Sequence, residues 1–291
     1  MTKGSAMNIH DAAARFIHRA HISSSDAERL CGEREIEREE LLRGLVGTAA
    51  GYARPPISNF KVGAVAEGTS GGLYFGANVE IAGGTLAHTI HAEQAAIINA
   101  HAHGETGVKR LAITAEPCGY CRQFLKELTT AEELTILTGV RILTLDKLLP
   151  NAFGPADLGV PERLLSPQDH SSEMTGEPSD LPAGNKVALD AANRSYAPYS
   201  KAYGGAAITT RGGDIFSGSY LENAAFNPSL QPAQCALVLA ILAGAKLEDV
   251  TAIDVVQRAG GPVDHIAYAR GLAAALGEGV TVHGAKIEYK P

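Results

Sequence analysis

The chain has no tryptophan and only 5% aromatic residues among its 291, so the stacking platforms that hold single-stranded nucleic acids are scarce. Positive charge is short as well. Lys and Arg number 25 against 32 Asp and Glu, and the formal charge of −7 disfavours a long polyanionic partner. No stretch reaches the roughly 18 uninterrupted apolar residues of a membrane span, and the N-terminus lacks the apolar core of a secretory signal. The four cysteines, Cys31, Cys118, Cys121 and Cys235, are too few and too scattered for a disulfide framework, which points to a reducing compartment, the cytoplasm by default. With 45% hydrophobic and 20% charged residues the composition is globular. At roughly 150 residues per domain the length suggests about two domains, each able to bury a core without staples.

Dense charge with Leu30, Leu41, Leu42 and Leu45 at near-helical intervals predicts an exposed helical segment over residues 26–46. Beyond Gly51 the texture turns β-like: strands are expected over 61–66 and 73–76 around a glycine-rich loop, then at 110–114, 134–137 and 141–145. Helices are expected over 92–102 and 118–128, and this alternation describes an α/β sheet. Prolines at 150, 155, 161, 167, 178 and 182 mark a linker or crossing segment. After it the pattern repeats. Residues 191–200 echo 48–58, residues 216–222 echo 74–80, and the apolar helix at 235–242 echoes that at 94–100. The expected organisation is an N-terminal helical segment (1–43), a first domain (44–150), the crossing segment (151–182) and a degenerate second copy (183–291).

Two short motifs carry chemistry. His91-Ala92-Glu93 opens one expected helix and Pro117-Cys118-Gly119-Tyr120-Cys121 opens another. In this order they match the signature of zinc deaminases as a class. One histidine and two cysteines supply three of the four tetrahedral zinc ligands and leave one position for a water whose pKa drops to about 7. Cys118 and Cys121, three apart on a helical turn, can face one ion, and the positive end of the helix favours their thiolates. Glu93, beside such a water, can take a proton and pass it on. Each motif alone has a plain reading: a Cys-x-x-Cys pair can be redox-active or merely buried, and a His-x-Glu at a helix start is commonly surface polarity. His88, His101 and His103 are rival ligands; Cys31 and Cys235 read as core residues.

The chain resembles the free-nucleoside cytidine deaminases in their long, homodimeric, two-domain form. The resemblance is carried by residues 57–64 (ISNFKVGA), 75–80 (FGANVE), 91–94 (HAEQ), 117–124 (PCGYCRQF), 149–155 (LPNAFGP) and 224–228 (AAFNP), and it extends from about Leu45 to the C-terminus, more weakly after Leu242. It implies a three-layer αβα fold with a mixed sheet, duplicated as a catalytic and a degenerate domain. It further implies one catalytic zinc on His91, Cys118 and Cys121, with Glu93 as the proton shuttle. Asn78 and Glu80 would bind the ribose 3′-hydroxyl, Phe60 would flank the pyrimidine, and the backbone at Ala92 and Glu116 would read the base edge. Phe153 would be contributed by the neighbouring subunit of a homodimer. The implied reaction is hydrolysis of cytidine and 2′-deoxycytidine to the uridine forms and ammonia, in pyrimidine salvage, with no nucleic-acid or membrane partner.

Glu116 departs from the small residue this family commonly has before Pro-Cys, and its carboxylate could shift nearby pKa values. In the second copy the His-x-Glu position reads as Pro232-Ala233-Gln234 if one residue is deleted, with no Cys-x-x-Cys after it, so that copy cannot hold catalytic zinc. A deaminase of another base, nucleotide or polynucleotide, a non-catalytic zinc-containing binding protein and a thiol–disulfide oxidoreductase are the competing readings.

Overall fold

The computed structural model describes residues 9–173, 175 and 181–290. Residues 1–8 of the expected N-terminal segment, with 174 and 176–180 of the crossing segment, lie outside them.

The N-terminal region holds α1 (Ile9–Ala13), β1 (His21–Ile22), α2 (Ser24–Arg34) and α3 (Arg38–Ala50). The single helical run expected over 26–46 is therefore two helices. Ser23 caps α2 by accepting from the Asp26 amide at 3.2 Å, and Glu35, at φ 52°, ends it in the left-handed conformation. Nor is this region all surface: Leu30, Leu41, Leu42 and Leu45 are fully buried, each worth about 2 kcal/mol of transfer free energy. Since α3 packs on the sheet that follows, the boundary expected between residues 43 and 44 falls inside a core helix.

The first sheet adds β2 (Gly63–Gly68), β3 (Leu73–Ala77), β4 (Val108–Ile113), β5 (Thr135–Thr138) and β6 (Arg141–Thr144) in the order β1-β3-β2-β4-β5-β6. It is mixed, with β4 and β5 parallel and the other pairs antiparallel. Between β3 and β4 runs α4 (Ala92–Ala102), and after β4 comes the short α5 (Gly119–Leu125). Two glycines show the layering. A Cβ on Gly63 would lie 2.3 Å from the Val46 carbonyl oxygen on α3, whereas one on Gly76 would lie 2.2 Å from the Ala92 carbonyl oxygen on α4. Gly76 pairs with Ala64, the neighbour of Gly63, so these two glycines face opposite sides of the sheet. The helices α3 and α4 thus cover opposite faces, each at backbone contact.

After α6 (Leu145–Leu148) and the crossing segment the plan repeats with α7 (Ala183–Asn193), β7 (Gly204–Thr210), β8 (Ile215–Ser219), α8 (Pro232–Leu242), β9 (Val250–Arg258), α9 (His265–Leu276) and β10 (Thr281–Ile287). The order β10-β9-β7-β8, with only β9 and β10 parallel, reproduces β5-β4-β2-β3. The ladder irregularity between Glu67 and Gly68 recurs between Thr209 and Thr210. Gly205 and Gly218 take the places of Gly63 and Gly76, against α7 and α8. This is the three-layer αβα fold, duplicated.

The lobes meet through α4 and α8, which are buried nearly all round because each lies between its own sheet and the other helix. Their contacts are reciprocal. Gln94 donates to the Pro228 carbonyl at 3.5 Å and Gln234 to the Ala87 carbonyl at 3.1 Å, while Tyr120 donates to Asn227 O and Tyr268 to Ala87 O. The crossing segment bonds to both lobes: Leu164 N donates to Glu127 O at 2.9 Å, and His170 N to Asn193 O at 2.9 Å.

Candidate active site

His91 is the N-cap of α4, in extended conformation, with its amide held by the Gln94 side chain at 3.1 Å. Cys118 is the N-cap of α5, and Cys121 sits in that helix's first turn. The Arg122 side chain fixes this corner by donating to Pro117 O and Leu148 O, both at 2.8 Å. The two helix starts converge. His91 Nδ1 lies 3.5 Å from Cys118 Sγ and 3.3 Å from Cys121 Sγ, and all three donor atoms fall within 4.8 Å of one another. A tetrahedral zinc with bonds of about 2.0–2.1 Å to nitrogen and 2.3 Å to sulfur separates a nitrogen from a sulfur ligand by roughly 3.5 Å, so the donor set fits the ion. His88, His101 and His103 are elsewhere: His88 packs edge-on against Tyr268, His101 lies by Arg194, and His103 bonds Asn99 O. Cys235 is buried and Cys31 half-buried, both against the core.

The cluster polarises its own thiols. Hydrogen bonds from Cys121 and His91 bring the Cys118 thiol down to about 3, and Cys121, bonded to that sulfur and buried, is pushed up. The bond to Cys118 raises His91. Glu93, in the first turn of α4, is 4% exposed, and burial pushes its carboxyl up while the Cys121 thiol bonds to it. A buried carboxyl beside the donor cluster is a group that readily accepts a proton.

Asn78 and Glu80, both buried, organise the loop that carries Phe60. Asn78 accepts from Val62 N at 2.8 Å and donates to Phe60 O at 2.9 Å; Glu80 accepts from the Ile57 and Ser58 amides at 2.9 Å each and from the Ser58 hydroxyl at 2.5 Å. Burial raises the Glu80 carboxyl, but these bonds outweigh it and hold the group below its ordinary range. Phe60 itself is 61% exposed, and so is no core residue. The Ala92 amide, at the start of α4, has no carbonyl of its own helix to bond. The Glu116 carboxylate accepts from Arg141 and Thr138 at 2.9 Å each, so its charge is compensated. Phe153 is exposed, with its carbonyl held by Gln123 at 2.8 Å.

Sequence reasoning missed Gln94 as the cap of His91, a role signalled by the glutamine three residues past the cap. It also missed Tyr120 and Glu127, whose partners lie in the other lobe, where no local pattern reaches. The alignment of the second copy needs correcting. Gln231 N bonds Gln234 Oε1 at 3.0 Å as His91 N bonds Gln94, so Gln231, Pro232 and Ala233 stand where His91, Ala92 and Glu93 stand, and the loop before them is shorter by two residues rather than one. Among the described residues His91, Cys118 and Cys121 form the one group able to hold a metal.

Residues 37–137 and 145–270 match two family models, both described as the cytidine and deoxycytidylate deaminase zinc-binding region. A cytidine deaminase from Pectobacterium carotovorum subsp. carotovorum (strain PC1) is 42% identical over 259 residues, 89% of this chain and 86% of that one. One from Vibrio atlanticus (strain LGP32) is 44% identical over 245 residues, 84% and 82% of the two. The crystal structure of a cytidine deaminase from Mycobacterium tuberculosis aligns at 38% identity and TM-score 0.37 over 40% of this chain and 96% of its own. Tandem matches, relatives that share most of their length, and a zinc-fitting donor set beside a buried glutamate place the chain in the cytidine deaminase family.

Proposed function

We propose that the chain hydrolyses cytidine and 2′-deoxycytidine to uridine and 2′-deoxyuridine with release of ammonia. The observation that carries this reading is the buried Glu93 carboxyl against the His91, Cys118 and Cys121 donors. Zinc on those three residues supplies a Lewis acid that makes water nucleophilic near neutral pH. Glu93 takes a proton from the water as oxygen adds to C4 of the base and delivers it to N3. It then moves a second proton to the departing amine, so that one water is consumed and one ammonia released. Phe60 flanks the pyrimidine, and the Ala92 amide and Glu116 carbonyl face its edge. Glu80 and Asn78 meet the sugar 3′-hydroxyl; a carboxylate accepts from a hydroxyl and repels a phosphate, which favours nucleosides over nucleotides.

The exposed Phe60, Phe153, Ile57 and Leu86 favour a homodimer in which Phe153 completes the partner's site. The catalytic lobe of this proposal runs from α3 to residue 150, the crossing segment over 151–182 and the zinc-free lobe over 183–291. Four free cysteines, and the lack among the described residues of any helix long and apolar enough to cross a membrane, accord with a cytoplasmic enzyme. The test is an ultraviolet assay of the zinc-loaded protein on cytidine, 2′-deoxycytidine, cytidylate and a cytosine-containing single strand of DNA. Turnover of the two nucleosides and not the other two supports the reading; turnover of cytidylate or DNA alone refutes it.

A further inference from the structure

The C-terminal lobe has lost its metal ligands but has kept a cavity. It measures about 610 Å³, within the range of small-molecule sites, and its wall includes Tyr199, Tyr220, Glu222, Phe226, Gln231 and Tyr268. Register identifies it as the second copy of the candidate active site. Glu222 stands where Glu80 stands and makes the same bonds, taking the amides of Tyr199 at 2.8 Å and Ser200 at 3.1 Å on one oxygen, as Glu80 takes those of Ile57 and Ser58. Lys201 repeats the positive φ of Asn59, at 53° and 56°, and the Ser200 hydroxyl accepts from Ala202 N at 3.1 Å as Ser58 accepts from Phe60 N.

The differences point to a ligand. In the first lobe the Ser58 hydroxyl occupies the second oxygen of Glu80 at 2.5 Å; in the second lobe the corresponding oxygen of Glu222 has, among the described residues, only the Tyr220 phenol, at 3.3 Å. A fully buried carboxylate with spare acceptor capacity therefore faces a cavity. Where the first lobe has His91, Gln231 bonds His265 at 2.7 Å through its amide oxygen, and its amide nitrogen has no partner among the described residues. The acid–base residue has become Ala233. Aromatic walls with a buried hydroxyl acceptor at one end and an amide donor along one side suit a heterocycle carrying a sugar.

We propose that this cavity is a second, non-catalytic site for a nucleoside-class ligand, with Glu222 accepting a sugar hydroxyl and the tyrosines and Phe226 facing the heterocycle. The assignment of Glu222 rests on the sugar-binding reading of Glu80. A ligand here touches Ala87 and Tyr120 of the first lobe, and Tyr120 adjoins Cys121, so occupancy of the cavity bears on the segment carrying a zinc ligand.

Equilibrium dialysis of the zinc-loaded full chain against uridine, which carries no amine to lose, tests this. Two uridines bind per chain. Phe226→Ala, which trims a 61% exposed side chain and leaves the core untouched, weakens one of the two at least tenfold, as does Glu222→Gln, while Glu80→Gln weakens the other. A single uridine per chain, lost in Glu80→Gln and unaffected by Phe226→Ala, overturns the second site and leaves the catalytic reading intact. No binding at either site overturns both.

Discussion

Glu127 and Tyr196 meet across the boundary between the lobes, carboxylate oxygen to phenol oxygen at 2.8 Å. The same carboxylate accepts from the Tyr199 hydroxyl at 2.5 Å and the Ala224 amide at 3.0 Å, and it is fully buried. One side chain of the first lobe thus satisfies three donors of the second. Glu127→Ala leaves the Tyr199 hydroxyl and the Ala224 amide without this acceptor, with Tyr196 keeping the Glu162 carbonyl at 3.1 Å, and costs about 3 kcal/mol, read as a lower Tm and a lower urea midpoint, with Glu127→Gln milder. Unchanged stability in Glu127→Ala contradicts this account of the junction.

The approach of α4 to its sheet makes Gly76 a control point for the site. A Cβ there meets the Ala92 carbonyl and the Ala96 amide at 2.2 Å, both backbone groups that cannot swing away. Gly76→Ala is expected to lose about 2 kcal/mol by overpacking and, by shifting the start of α4, to lower zinc content. Gly32→Ala is the comparison: no described residue lies within 4 Å of that Cβ in the last turn of α2, and helix stability rises by up to about 1 kcal/mol. Metal analysis and thermal melts of both variants decide the matter.

Glu105 gives stability a dependence on acid. Burial raises its carboxyl, but bonds from Ser70, Thr69, Thr106 and Tyr74 outweigh it and hold the group below its ordinary range. A carboxyl lowered in the fold contributes stability above its unfolded pKa of roughly 4.3, and the contribution is lost as pH falls through the folded value. Wild type is therefore more stable than Glu105→Gln at neutral pH, and the two melting curves converge as pH drops from about 5 to about 3. A constant gap across that range would show that ionisation is not the source.

Glu80 serves the loop as well as the sugar. Because it bonds the Ile57 and Ser58 amides and the Ser58 hydroxyl, Glu80→Ala disorders the segment presenting Phe60. The expected result is a fall in kcat/KM for cytidine of roughly a hundredfold, about 2.7 kcal/mol of transition-state binding, with zinc content retained. Glu80→Gln, which keeps part of the bonding, falls less. An equal loss of zinc and activity would mean that the loop supports the metal site instead.

What the sequence disclosed and what it hid divide along physical lines. The span of α4 is legible to the residue because an alanine-rich run follows a capping histidine, and β2 to β6 follow from short apolar, β-like runs between turns. Two-residue β1 carries no period at all, and α3 looks like surface because its charges are as dense as its leucines are buried. The helix expected to reach Leu128 stops at Leu125, since Glu127 and Thr129 bond to Leu164 of the crossing segment. His91, Glu93, Cys118 and Cys121 were readable as types at a known spacing. Asn78, Glu80 and Phe60 became candidates only through family resemblance, because their bonds join residues some twenty apart. Gln231 at the His91 position was hidden by a one-residue slip that only the capping bond of Gln234 corrects.

The most direct measurement pairs activity with metal content in Glu93→Gln. The side chain keeps its size beside His91, Cys118 and Cys121 but can no longer take a proton. The account predicts one zinc per chain in both wild type and variant, with the absorbance change of cytidine slowed by at least a thousandfold in the variant, about 4 kcal/mol of barrier. A zinc-loaded variant that deaminates cytidine at close to the wild-type rate would contradict the assignment of Glu93 as the proton carrier.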